Sequence, residues 1–348
     1  MSVSRAWRIA GLAVAAAIAL AGLFIDPRTW LAAYLAVAVA CTAVPVGALA
    51  VLMTTYLVRG KWTEGLHDPL AAAALTMPLA AMIFVPVLIG MPLLYPWVSA
   101  LERHGPLQAI YLTPLFFVLR TIAYFCIWSF LALWTKAGWG DAARMTRVAS
   151  IGLIVYALTT SFAAIDWIES LAPEMHSSIY GLLFIAFQLL AGLAFGILIA
   201  LLKRGEPYRY GEILLSVMLL WAYLHAMQYI VIWAADIPEE AVWYLRREER
   251  VWGILMWVLI LLQFVLPFFA MLSERVRYGR RPLMVIAATT LALRLVEACW
   301  LALPSTHADG LMLALDVAAL AVIVGWLWCK SFALMERRTL GPAATLAH

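Results

Sequence analysis

The sequence predicts an all-α integral membrane protein, about ten transmembrane helices in one polytopic domain over residues 1–348. Three observations predict it. The chain is 66% hydrophobic and only 13% charged, against about 45–50% apolar and about 25% charged in soluble domains. It divides into ten apolar runs, most near the roughly 20 residues a helix needs to cross a bilayer core. Its basic residues are unevenly shared between the two ends of those runs. With the N-terminus inside, 17 of the 24 Lys and Arg fall on the inner side and 5 on the outer, which predicts that both termini are cytoplasmic. This composition excludes a soluble enzyme, a disordered chain and a nucleic-acid-binding domain. The formal charge of +4 reflects membrane topology and implies no nucleic-acid partner.

The runs cover residues 9–25, 30–58, 71–95, 110–135, 148–166, 178–202, 211–235, 251–272, 283–303 and 310–334. They are too long for barrel strands and lack period-2 alternation, so they are read as helices. The first run, behind Arg5 and Arg8 with small residues at Ala21-Gly22, also fits a signal peptide. Its apolar stretch is long for one, and cleavage would leave the other nine runs oriented alike. The second run is unusually long, so tilt or a kink at Pro45 is expected. Pro78, Pro86 and Pro92 interrupt the third. The fourth carries Arg120 near mid-depth, and the fifth ends at Asp166 with Glu169 just beyond. Ser177 or Ser178 is the expected N-cap of the sixth. His225 and Gln228 share a face of the seventh at i, i+3. Arg294 and Glu297 are i, i+3 on the ninth, and Asp316 lies about two turns into the tenth. The segment around Pro238-Glu239-Glu240 and Trp243–Arg247 is more elaborate than a connector needs and suits a docking surface for a periplasmic partner.

Cys41, Cys126, Cys299 and Cys329 form no CxxC pair, so neither an iron–sulfur cluster nor covalent haem has a motif. Of the six histidines, His67, His104, His176 and His307 lie in loops and His348 ends the chain, leaving His225 alone within a helix. A bis-histidine haem therefore lacks its ligands. Glu174-Met175-His176 is a weak approach to a metal cluster, and no GxGxxG or P-loop pattern is present. The chain is expected to bind no cofactor, no metal and to carry no catalytic residue of its own, any redox groups belonging to other chains.

Ionisable groups in hydrocarbon are costly, and each is a functional candidate. Arg120, Asp166, His225, Arg294, Glu297 and Asp316 form a ladder of proton-path candidates above Tyr210 and Glu212 near the inner face. The plainer reading is structural. Arg294 and Glu297 neutralise each other with Asp316 joining from the next helix, Arg120 meets a partner on another helix, and His225 packs by hydrogen bonding. Gln188, Gln228 and Gln263 then tie helices together. An alternative puts Arg120, His225 and Gln228 around a quinone head between the fourth and seventh runs.

Four stretches resemble the ActF-type membrane subunit of alternative complex III, a quinol:cytochrome c oxidoreductase. They are LLYPW (93–97), YLTPLFFVLRTIAYFCIW (111–128), DWIESLAPEMHSSIYGLLFIAFQ (166–188) and LLWAYLHAMQYIVIWAADIPEEAVWYLRR (219–247). Arg120, Asp166, Tyr180, Gln188 and Gln228 fall on family-like positions. The resemblance implies the fold of NrfD and polysulfide-reductase membrane subunits: two four-helix bundles, helices 2–5 and 6–9, flanked by helices 1 and 10. It implies a bacterial inner-membrane subunit without a prosthetic group, with a structural role and a proton path. Membrane lipid, a related quinol-binding membrane subunit, and periplasmic multihaem cytochrome and iron–sulfur subunits would surround it. Quinol, haem c and iron–sulfur clusters would then belong to those partners. The family more often has an acid where Ala172 stands and a small residue where His225 stands. These departures leave open a divergent branch, such as an accessory subunit of a haem-copper oxidase. A secondary transporter is a further alternative, although no second half matches the broken third run.

Overall fold

The computed structural model describes residues 3–340 except 59, 64, 100–110, 138–140, 173–174, 204, 236 and 307. Arg59, Arg103, Arg204, His104, His307, His348 and Glu174 thus lie outside the described residues. Among the described residues there is no strand. Nine helices are long and apolar enough to cross a membrane, and a bent pair makes a tenth. The chain is therefore an all-α, multi-pass membrane protein in contact with lipid.

Span 1 is Val3–Ile25 and span 2 is Pro27–Leu57. Asp26 alone joins them. Its carboxylate accepts the amides of Arg28 and Thr29 at 3.1 and 3.2 Å, and Pro27 stands at the first helical position, the usual chemistry of a helix start. Span 2 runs unbroken through Pro45. Span 3 is the bent pair His67–Ala74 and Met77–Ile89, which meet at 40°. The break falls just before Pro78, and a second stop at Gly90 falls just before Pro92, because a proline cannot donate to the preceding turn.

Span 4 is Pro114–Ala137, span 5 Ala142–Trp167 and span 6 Tyr180–Leu202. Asp141 caps span 5 through the Arg144 amide at 3.0 Å. The expected serine cap of span 6 does not form. Ile179 is the cap residue and makes no side-chain capping bond, because the Ser177 hydroxyl donates to Gln228 instead.

Span 7 is Tyr210–Ala235. Span 8 begins as Arg250–Leu259, widens into a π-helical turn at Ile260–Val265 and ends as Leu266–Leu272. Pro267 accounts for the wide turn: it has no N–H for the Gln263 carbonyl four residues back, and its ring would crowd that carbonyl in a regular helix. Span 9 is Arg280–Ala302 and span 10 Gly310–Leu340. Counting the bent pair as one span gives ten among the described residues. The end that holds Asp26, residues 168–179 and residues 237–249 is called the loop end below. The segment 238–248, read in the sequence as more elaborate than a connector, is a helix. Pro238 at its first position and Arg246 and Arg247 in its last turn are start and stop signals that could have identified it.

Spans 2–5 form one ring, in which span 2 packs on 3 and 5 and span 4 on 3 and 5. Spans 6–9 form a second ring, 6 on 7 and 9 and 8 on 7 and 9. The rings share a seam where span 2 lies along span 6, and this seam is the core of the molecule. The backbones cross at Gly47 and Gly192: a Cβ on Gly47 would lie 1.7 Å from the Gln188 carbonyl oxygen, and one on Gly192 2.2 Å from the Ala48 nitrogen. Small residues at such crossings let helices approach by their backbones, the main source of packing attraction where lipid is as apolar as the side chains. Span 10 packs on spans 1, 2 and 3, and span 1 on spans 10 and 2. The two expected bundles with flanking helices 1 and 10 are therefore the observed arrangement.

Candidate functional site

The second ring encloses a charge cluster built from three spans. Arg294 and Glu297, one turn apart on span 9, form a fully buried ion pair through Arg294 Nη1 and Glu297 Oε2. The π turn of span 8 carries Gln263, whose Oε1 accepts Arg294 Nη2 at 2.6 Å. Arg294 Nε donates to the Thr290 carbonyl at 3.2 Å. Span 7 supplies the other side: the Trp221 indole N–H donates to Glu297 Oε1 at 2.8 Å, and His225 Nε2 lies 3.1 Å from the same oxygen. The guanidinium is also 5.6 Å from the Phe187 ring centre and 5.8 Å from that of Trp221, within range of cation–π attraction. Both Glu297 oxygens thus meet a fixed donor, Arg294 on one and Trp221 on the other, and His225 Nε2 is within hydrogen-bond reach of the second. His225 stands ten residues before the end of span 7, about 15 Å at helical rise, or the middle of a core about 30 Å thick.

From there polar groups continue toward the loop end. Gln228 is one turn beyond His225 on span 7, and its Oε1 accepts the Ser177 hydroxyl at 3.1 Å. The Ser177 amide donates to Glu169 Oε1 at 2.9 Å. Glu169 lies within electrostatic reach of Glu240 on the 238–248 helix. Tyr180 lies within electrostatic reach of both Glu169 and Glu297. Three atoms along this line are buried and make no hydrogen bond among the described residues: Gln228 Nε2, Tyr180 Oη and Glu169 Oε2. Buried polar atoms are nearly always satisfied by protein or by ordered water, so these three atoms have hydrogen-bonding capacity to spare.

The first ring holds a different kind of pair near its loop end. Arg120 grips Asp166 with both prongs, Nε to Oδ2 at 2.8 Å and Nη2 to Oδ1 at 2.7 Å. The Tyr124 hydroxyl adds a bond to Oδ2 at 2.6 Å, and Arg120 Nη1 reaches the Tyr111 carbonyl at 2.9 Å over that residue's ring. Tyr95 and Thr121 fix the neighbouring Trp167, through its carbonyl at 3.0 Å and its indole N–H at 3.1 Å. Arg120 is not at mid-depth as expected. Span 4 starts at Pro114, so it lies six residues inside the end.

The structure therefore sorts the six ladder residues into three places. His225, Arg294 and Glu297 come together, as do Arg120 and Asp166, while Asp316 stands apart. Asp316 does not join the Arg294–Glu297 pair, because span 10 packs on spans 1, 2 and 3 instead of span 9. It lies against Gly22 of span 1, where an added Cβ would be 2.1 Å from Asp316 Oδ1. Arg120 belongs to one ring and His225 and Gln228 to the other, and the Arg120 guanidinium is taken up by Asp166 and Tyr111. At the opposite end, Tyr278 and Arg209 hold Glu212 at the surface.

Gln188 ties span 5 to span 6, accepting the Tyr156 hydroxyl at 3.0 Å. Three participants had not been singled out for these positions. Trp221 and the wide turn under Gln263 complete the cluster, and only Pro267 signals the turn. Arg247, counted as an outer surface charge, is fully buried. It donates to the Trp300, Trp243 and Leu301 carbonyls and stacks 3.4 Å over Trp243, four residues back on the same helix. That spacing was the available signal. The clamp fixes the 238–248 helix against the end of span 9.

Among the described residues no three His, Cys, Asp or Glu side chains gather closely enough to hold a metal ion. Compared with known proteins, the chain matches no family model, and no curated protein matches it.

Proposed function

We propose that this chain is an integral membrane subunit of a quinol-oxidising respiratory complex of the alternative complex III kind, and that its second ring carries protons. In this reading it sits in a bacterial inner membrane with both termini cytoplasmic. It docks against a related quinol-binding membrane subunit, and periplasmic multihaem cytochrome and iron–sulfur subunits hold the electron carriers. Its own residues would hold and move protons. The observation that carries the proton role is the run of polar side chains from the mid-depth Glu297–His225 pair through Gln228 and Ser177 to Glu169. His225 is the one imidazole in that run, a ring with two nitrogens that can each donate or accept. Its contact with Glu297 lets a proton pass between nitrogen and oxygen without either group moving far.

The sequence motifs support the assignment to such a complex. Arg120, Asp166, Gln188 and Gln228 are family-like positions, and each makes a hydrogen bond between segments of the bundle.

Purification of the tagged chain from native membranes in mild detergent tests the assignment. Multihaem cytochrome and iron–sulfur subunits should co-purify. A stable, colourless chain alone would contradict it, and a haem-copper oxidase without those subunits would replace it with the accessory-subunit reading.

A further inference from the structure

A second carboxyl lies deep in the membrane, away from the Glu297 chain. Asp316 is 1% exposed and six residues inside the start of span 10, about 9 Å at helical rise. Its Oδ1 makes no hydrogen bond among the described residues. The neighbouring face of span 1 presents Ala15, Ala19 and Gly22, the first two buried, at the i, i+4, i+7 spacing of one helical stripe. Gly22 sits so close that a Cβ there would lie 2.1–2.6 Å from three atoms of the carboxyl group. The carboxyl is therefore pressed against bare backbone. That backbone has no free donor to offer, since the amides around Gly22 lie well inside span 1 and bond along the helix.

Among the described residues no cation compensates it. The one charged group acting on Asp316 among the described residues is the Asp26 carboxylate, of the same sign, and none comes from spans 2 or 3. An unpaired carboxylate in apolar surroundings costs several kcal/mol or more, and the group avoids that cost by binding a proton. A metal ion is a poor substitute. Hard cations take about six or more oxygen ligands, and among the described residues no three His, Cys, Asp or Glu side chains gather closely enough to hold a metal ion.

We propose that Asp316 is a proton-binding carboxyl at the seam between spans 1 and 10, taking a proton and not a metal ion, and separate from the Glu297 chain. It does not depend on the respiratory reading above, because it rests only on the seam between these two helices.

Infrared difference spectroscopy of the purified full-length chain in lipid tests it. The wild-type minus Asp316→Asn spectrum at pH 7 should contain the C=O stretch of a neutral carboxylic acid, shifting down in D2O. Asp316→Leu gives the same subtraction should the amide variant fail to fold. Carboxylate bands in place of the acid band would overturn the proposal. So would loss of the acid band on adding sodium chloride at fixed pH, which would mark a metal-ion site.

Discussion

His225 Nε2 lies 3.1 Å from Glu297 Oε1, joining two helices 72 residues apart in sequence. The contact closes a buried set in which one carboxylate meets an arginine, an indole and an imidazole. Donors from Arg294 and Trp221 keep this buried carboxylate from being left unpaired. Gln263 and the Thr290 carbonyl hold Arg294 independently of Glu297, so the guanidinium has two anchors besides the carboxylate.

The Arg120–Asp166 pair is the first place where this account can be tested by stability. Asp166→Asn or Arg120→Leu alone leaves one buried charge without its partner, a loss of about 3–5 kcal/mol. The double change Arg120→Leu with Asp166→Leu should recover most of it. Thermal unfolding followed by fluorescence-detected size exclusion is the measurement. Single variants as stable as the parent would show that the pair does not join spans 4 and 5.

The seam between the rings makes a sharper demand. Gly47→Leu places side-chain atoms where the span 6 backbone runs and should abolish the monodisperse chain. Gly325→Ala is the control, since nothing lies within 4 Å of the added Cβ. It should be neutral or stabilise by about 0.5–1 kcal/mol through helix propensity. Equal yields from the two variants would contradict the backbone crossing.

Much of the fold follows from the sequence directly because apolar length and proline position act locally. Nine of the ten runs are long apolar helices and the other is the bent pair, whose break falls where Pro78 dictates. The site is less local. Asp316 was grouped with Arg294 and Glu297 on depth, yet depth does not say which helices touch. Only the packing of span 10 against span 1 places Asp316 beside Gly22. Arg247 misled for a related reason: an arginine in a polar segment is expected in water, but the stack on Trp243 and the carbonyls of span 9 satisfy it inside. The serines before span 6 matched a cap pattern, but Gln228, 51 residues away, competes for the Ser177 hydroxyl.

Asp26 gives a pH-dependent prediction. Hydrogen bonds from the Thr29 side chain and amide, with the Arg28 amide, hold its carboxyl below the ordinary aspartate value. The folded-state pKa is depressed, so the cap's contribution is present above the unfolded value and is lost as pH falls through the folded one. Asp26→Ala should cost about 1 kcal/mol at pH 7 and progressively less below about pH 4. Melting temperatures of the two proteins that stay equally far apart down to pH 3 would contradict this role.

The central claim, that the Glu297–His225 pair carries protons within a quinol-oxidising complex, is tested most directly by proton release during quinol oxidation. The purified complex is reconstituted in liposomes, and protons moved per electron are compared for the parent, His225→Phe and Glu297→Gln. His225→Phe keeps the Arg294 and Trp221 bonds to Glu297, so it should assemble and oxidise quinol when uncoupled. Both variants should move fewer protons per electron than the parent. An unchanged ratio in assembled complexes carrying either substitution would contradict the account.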